Sequence, residues 1–370
     1  MGKVIYEFMT HWDAPRRIWF KRDEDELIGT QRSGGRPMPR IRPFDLLQGP
    51  TNSPAFKPAV LWKGEDGVIE AHNIAGAERA FHRPADYDVL VFQYSGHAIA
   101  ESEFGEFSLS PGESLHVPAG VAYRLIGAAD CRQLVTKVRK PVKLTLDPNN
   151  PLTETIFEVR ATGDSDPPSS VEIPQRNGRI LEVTDFWDEN LAPIIIERDH
   201  AKLVGCVTFE RGKGREPSVM RVFDYFTGMT GKGGGPGPQH YESEDFRTDA
   251  YNTEGEQAGF HRGMEDDEIW FQFRGHATND TEWGVHELDP SEMGYVPRGI
   301  AHRITGGEGF LRYVLYFRRP MYPQVDESSH RGKTSFEVGT VSYKELPALA
   351  DAKVKAEAAH PRRGAATGPS

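Results

Sequence analysis

Short runs in which apolar and polar positions alternate recur along this chain, and Gly or Pro interrupts them every 8 to 12 residues. Runs such as VLVFQYSG, EFSLSP and SLHVPAG are too short for helices. A period of two sends successive side chains to opposite faces of a strand, so the pattern predicts antiparallel strands paired into a sandwich or barrel. With 38 Gly and 27 Pro the chain is turn-rich, and long helices are not expected.

The pattern is used twice. Residues 82 to 124 align without a gap on residues 261 to 303 at a constant offset of 179, with 18 identities in 43 positions. A match of that register implies one fold repeated. The expected architecture is all-β: two tandem jelly-roll barrels. Around them the sequence predicts an N-terminal arm over 1–60, a first barrel over 61–150, a connecting segment over 151–200 and a second barrel over 201–325. A C-terminal extension over 326–370 is expected to carry a short helix and then a disordered, low-complexity tail.

Composition narrows the classes. A chain of 370 residues exceeds what one core usually fills. The balance of 44 Lys+Arg against 55 Asp+Glu gives a net charge of -11, which argues against nucleic acid or anionic lipid as partners. Cys131 and Cys206 fall in different halves without CxxC spacing, so neither a disulfide scaffold nor a thiolate zinc site is expected. No apolar run reaches the length of a signal peptide or a membrane span. The expected location is the cytoplasm.

The second copy carries the chemistry. His261, Glu268 and Gly275 resemble the first motif of the cupin family, and PRGIAH, ending at His302, resembles the second, which implies that the two jelly-roll barrels are tandem cupin domains. Cupins place metal ligands at those His, Glu and His positions, although the usual second histidine of the first motif is here Gly263. Glu265 and Asp267 are neighbouring carboxylates, but alternation puts Glu268, Trp270 and Gln272 on one face and Asp267 on the other, which favours Glu268. Two imidazoles and one carboxylate leave coordination positions open and suit non-haem Fe(II). In the first copy Val89 stands for Glu268 and Tyr123 for His302, so that barrel is expected to be metal-free.

The copies also sort the neighbours. Gln93/Gln272, His97/His276, Arg83/Arg262 and Arg124/Arg303 occur in both, which points first to packing; Gln272 and Arg303 are retained as substrate-binding candidates. Trp270, His286 and Arg298 replace Val91, Phe107 and Ala119, adding an aromatic face, an imidazole and a guanidinium. The long Gly-rich segment before the second barrel reads as a binding loop, and its His240 is a candidate general base, beside Tyr241. Its GKGGGPG lacks the pattern of a phosphate loop.

ESEFGEFSLSPGESLHVPAG in the first copy and HRGMEDDEIWFQFRG in the second resemble the homogentisate dioxygenase group of two-cupin enzymes. The resemblance implies ring cleavage of a hydroxylated aromatic acid by O2 at Fe(II) held by His261, Glu268 and His302. It further implies Trp270 against the ring and Arg298 or Arg303 near a carboxylate, with His240, His286 and Arg298 as candidate catalytic groups. A homogentisate-, hydroquinone- or gentisate-like substrate fits this reading, and a homo-oligomer is the expected assembly. Rival readings are a metal-dependent isomerase or decarboxylase, an oxygenase of a non-aromatic substrate, and a bicupin that binds a small acid without turnover.

Overall fold

The computed structural model describes residues 4–24, 38–146, 171–205, 215–226, 228–231, 237–325 and 335–337. The expected helix after residue 345, Cys206 and part of the Gly-rich segment lie outside these. Two barrels built mostly from antiparallel strands account for nearly all the rest. No helix among the described residues is long and apolar enough to cross a membrane.

The first barrel is wrapped by a 12-stranded sheet. Its continuity comes from one strand, Tyr123–Val138, which pairs with Ala98–Ser102 at one end and with Asp88–Ser95 at the other. A register shift between Gly127 and Cys131, with Asp130 at a φ of 59°, bends this strand round the corner. The second barrel breaks the same path in two, His302–Gly306 and Leu311–Phe317, and consequently forms two facing sheets of seven and eight strands.

Alternation along the central strands explains both the barrel interiors and the joint between barrels. In Asp88–Ser95, Val89 and Val91 face the interior of the first barrel, while Leu90, Phe92 and Tyr94 face out. In Asp267–Arg274, Trp270 faces the interior of the second, while Ile269, Phe271 and Phe273 face out. The two outward rows meet in the largest core of the molecule. Phe92 stacks on Tyr313 with ring centroids 4.7 Å apart and meets Phe271 and Phe273 edge-on. These strands read as near-continuous apolar runs because both faces are buried.

The segments outside the barrels cross over. The N-terminal strand Val4–His11 adds in parallel to Phe260–Gly263 of the second barrel and pairs back on Ala14–Asp23. The connecting strand Arg179–Asp185 adds in the same way to Ala80–Pro84 of the first barrel and pairs on Ile194–Asp199. Met38–Ile41 pairs with Met293–Val296, and Ser218–Arg221 with Glu113–Val117. Each half therefore donates a hairpin and a strand to the other half's barrel. The internal symmetry reaches well beyond the 43 positions where it is visible in the residues.

An arginine clasps each donated hairpin. Arg83 binds Glu103 of its own barrel and Glu182 of the connecting hairpin, and donates to the Gly120 carbonyl. Arg262 binds Glu282 and, from the N-terminal hairpin, Glu7, and donates to the Gly299 carbonyl. The packing role expected of this shared arginine is what the structure gives it.

Candidate metal centre

His261 and His302 sit opposite one another where Phe260–Gly263 pairs with His302–Gly306, so both imidazoles project from one point of the seven-stranded sheet. Their ring centroids lie 4.0 Å apart. Glu268 reaches them from the facing sheet, on the interior side of Asp267–Arg274. Its Oε2 is 3.2 Å from His302 Nε2 and its Oε1 is 4.0 Å from His261 Nε2. One donor atom from each of the three residues falls within 4.8 Å of the others, the single such group among the described residues.

The protonation pattern of this group fits a cation. His302 Nδ1 donates to the Ile300 carbonyl at 3.1 Å, and since a carbonyl only accepts, the Nδ1 proton is fixed. Its Nε2 then faces the Glu268 carboxylate, the side on which a cation would be held. Metal–ligand distances of about 2.1 Å fit donor atoms spaced in this way. Burial alone would raise the Glu268 carboxyl, but His302 and then His261 hold it well below its ordinary value. Trp270 Nε1 donates to Glu268 Oε2 at 3.2 Å, orienting the carboxylate, and Phe8 of the N-terminal hairpin stacks on His261 at 5.4 Å.

Several groups around the centre were not singled out by the sequence. Arg247 lies between the rings of Trp12 and Tyr316, 4.7 Å from each, and pairs with Asp266 at 3.2 Å. Tyr316 faces Glu268 across the strand register, and its hydroxyl is 2.9 Å from that of Tyr251. Tyr251 in turn donates to Asp249 at 3.4 Å. Burial pushes the Asp249 carboxyl up to about 7, with Arg247 opposing and the charge of Glu268 adding. Arg312 is fully buried under Trp270, 4.8 Å from its ring, and binds Gln272 and Asn279. The signal for the Arg247–Asp249–Tyr251 row was the polar alternation of FRTDAY, which continues the 179 offset past the region of recognisable identity.

Trp270 is where the sequence placed it, its ring 5.2 Å from that of His302. Other candidates have different surroundings. Gln272 closes the turn after its strand by donating to the Arg274 and Gly275 carbonyls, as Gln93 does in the first barrel. Arg303 points away from the interior, over Phe260, and pairs with Asp280, Glu256 and Glu24. Arg298 is held by Asp267 at 3.1 Å and the Arg318 carbonyl at 3.0 Å. Asp267 also accepts from the Arg298 and Met321 amides, as Asp88 does from Ala119 and Val142. His240 lies in the core between the barrels, against Tyr225 and Tyr313, and Nε2 donates to the Val222 carbonyl at 2.7 Å. The expected loop around it contains two strands, Gln239–Glu242 and Phe246–Tyr251. His286 sits on the edge strand Gly284–Leu288, opposite Asn279, two strands across from His302.

In the first barrel, His82 and Tyr123 take the same opposed register as His261 and His302, and Val89 occupies the place of Glu268. His82 Nδ1 lies 3.4 Å from Asp185 of the connecting hairpin.

No family model matches this chain, and no curated protein matches it in sequence. Among solved structures it is similar to the Bacillus subtilis oxalate decarboxylase, a protein with Mn(II) centres, at 11% identity and a TM-score of 0.45 over 81% of this chain and 84% of that one. Protein Ylba from E. coli shows 10% identity and a TM-score of 0.42 over 80% of this chain and 98% of its own. A cupin 2 conserved barrel domain protein from Leptotrichia buccalis shows 8% identity and a TM-score of 0.38, covering 70% and 88% respectively.

Proposed function

We propose that the second barrel is the active site of an Fe(II)-dependent dioxygenase that opens the ring of a hydroxylated aromatic substrate. The observation that carries the reading is the triad itself: two imidazoles and one carboxylate converge from two sheets, and no fourth protein ligand completes the set among the described residues. Such a centre retains open positions, which serve reaction rather than structure. Bound Fe(II) would supply adjacent sites for a ring hydroxyl and for O2.

The surrounding side chains are suited to an electron-rich aromatic acid. Trp270 and Tyr316 offer ring faces beside the centre, and Arg247 offers positive charge for a substrate carboxylate. The Tyr316–Tyr251–Asp249 chain ends on a carboxyl poised near neutrality. It can take up the proton that a substrate hydroxyl gives up on binding, and return it to product.

The test is anaerobic purification, metal identification and reconstitution with Fe(II), Mn(II) or Zn(II), followed by O2 uptake with hydroquinone- and catechol-type acids. The expected result is O2 consumption that is stoichiometric with ring-opened product and dependent on Fe(II). Turnover without O2 uptake would assign an isomerase or decarboxylase instead. Neither turnover nor O2 uptake across the panel would reject the reading.

A further inference from the structure

The first barrel contains an opening lined by residues that differ from their counterparts in the second. Its mouth leads to a cavity of about 970 Å³ beside the donated hairpin, whose connecting residues 186–191 form one wall. In the second barrel the corresponding space holds Arg247, between Trp12 and Tyr316 and tied to Asp266. At the 179 offset the first barrel has Val68, Lys137 and Tyr87 at the places of Arg247, Tyr316 and Asp266. Removal of the guanidinium plug leaves room, and Trp187 now stands at the rim, edge-on to Tyr87 at 6.0 Å.

Two observations point to a ligand. Tyr87 and Tyr123 line the cavity, are only 8% and 9% exposed, and make no hydrogen bond among the described residues. Neither hydroxyl bonds a protein group, so both are left to whatever fills the cavity, water or a guest. The second observation is charge. The lining carries three Lys or Arg against five Asp or Glu. Lys137 is bound to Glu70 and Lys63 to Glu189, each at 2.8 Å, while Arg139 acts on Asp66. Glu78, which accepts from the Leu125 amide, and Asp185, 3.4 Å from His82 Nδ1, are the carboxylates inside that no Lys or Arg neutralises among the described residues, with Asp188 at the rim.

We propose that the first barrel binds a small organic cation, an alkyl- or arylammonium, with its charged head towards Glu78 and Asp185 and its body against Tyr87, Tyr123 and Trp187. Aromatic faces and carboxylates attract such a head together, and the hydroxyls bind any oxygen it carries. The site has no metal ligand set and stands apart from the second barrel, so it does not depend on the dioxygenase reading.

The experiment is calorimetric titration of the full chain with benzyltrimethylammonium, and with benzyl alcohol and phenylacetate as uncharged and anionic counterparts. The cation is expected to bind at least about tenfold more tightly than either, the range of one cation–π and ionic contact. Trp187→Ala and Glu78→Gln should each weaken it about tenfold, and Trp187→Phe should largely restore it. Chelator-treated and Fe(II)-loaded protein should bind alike, which separates this site from the metal centre. Absence of cation binding, equal or tighter binding of benzyl alcohol or phenylacetate, or loss of binding on metal removal would each overturn the proposal. If Trp187→Ala does not fold, Glu78→Gln and Asp185→Asn carry the same comparison.

Discussion

At the scale of single residues, two exchanges separate the barrels: Glu268 against Val89 and His302 against Tyr123. Both members of each pair occupy equivalent positions, so the difference is one of donor atoms and not of fold. Glu268→Ala and His302→Ala should reduce bound metal to background by elemental analysis, whereas His82→Ala should leave it unchanged. Trp270→Phe removes the N–H that orients Glu268 and should weaken metal binding by about 10- to 100-fold in a chelator competition. Glu70 tests the electrostatics of the first barrel. Burial would raise its carboxyl, but the His72 hydrogen bond and Lys137 hold it at about 2, below the ordinary 4.5. A depressed carboxyl stabilises the fold above its unfolded value and ceases to do so as pH falls through the folded one. Glu70→Gln should therefore show a lower urea midpoint at pH 7, and the gap to wild type should narrow below about pH 4.5.

At the scale of elements, the donated hairpins matter most. Arg262 is 1% exposed, and Glu7 is one of the two carboxylates that neutralise it. Glu7→Ala should destabilise the protein by about 3–5 kcal/mol, the usual consequence of breaking a buried ion pair, measured by urea unfolding. Glu182→Ala should cost less, because Arg83 is 20% exposed and can turn to water. The N-terminal hairpin also supplies Phe8 to His261 and Trp12 to Arg247. Little of this was legible. The triad lies in a run of recognisable repeat, but the hairpins align at an offset of 175 instead of 179, with Glu7 facing Glu182, and share few residue types. Strand pairing depends on backbone hydrogen bonds and burial, which many side chains satisfy equally.

For the whole molecule, the core between the barrels implies that neither unfolds alone. Phe92 of the first barrel is inserted among Phe271, Phe273 and Tyr313 of the second. Calorimetry should show one transition, with metal release coinciding with loss of secondary structure, and Phe92→Ala should lower stability by about 3–5 kcal/mol while keeping a single transition. Two resolved transitions would show that the barrels are independent.

The sequence by itself determined the all-β class, the duplication, and the three donor residues, because alternation and motif spacing are local properties that a strand imposes on its own side chains. It also marked Arg83 and Arg262 as packing residues by retaining them where the metal ligand set is broken. Only the tertiary structure decided that His240 is a core histidine, that Arg298 is held by Asp267, and that Arg247, Asp249, Tyr251 and Tyr316 surround the centre. It alone showed that each half completes the other's barrel. These facts rest on contacts between residues far apart in the chain, where the partner is chosen by the shape and charge of the assembled fold.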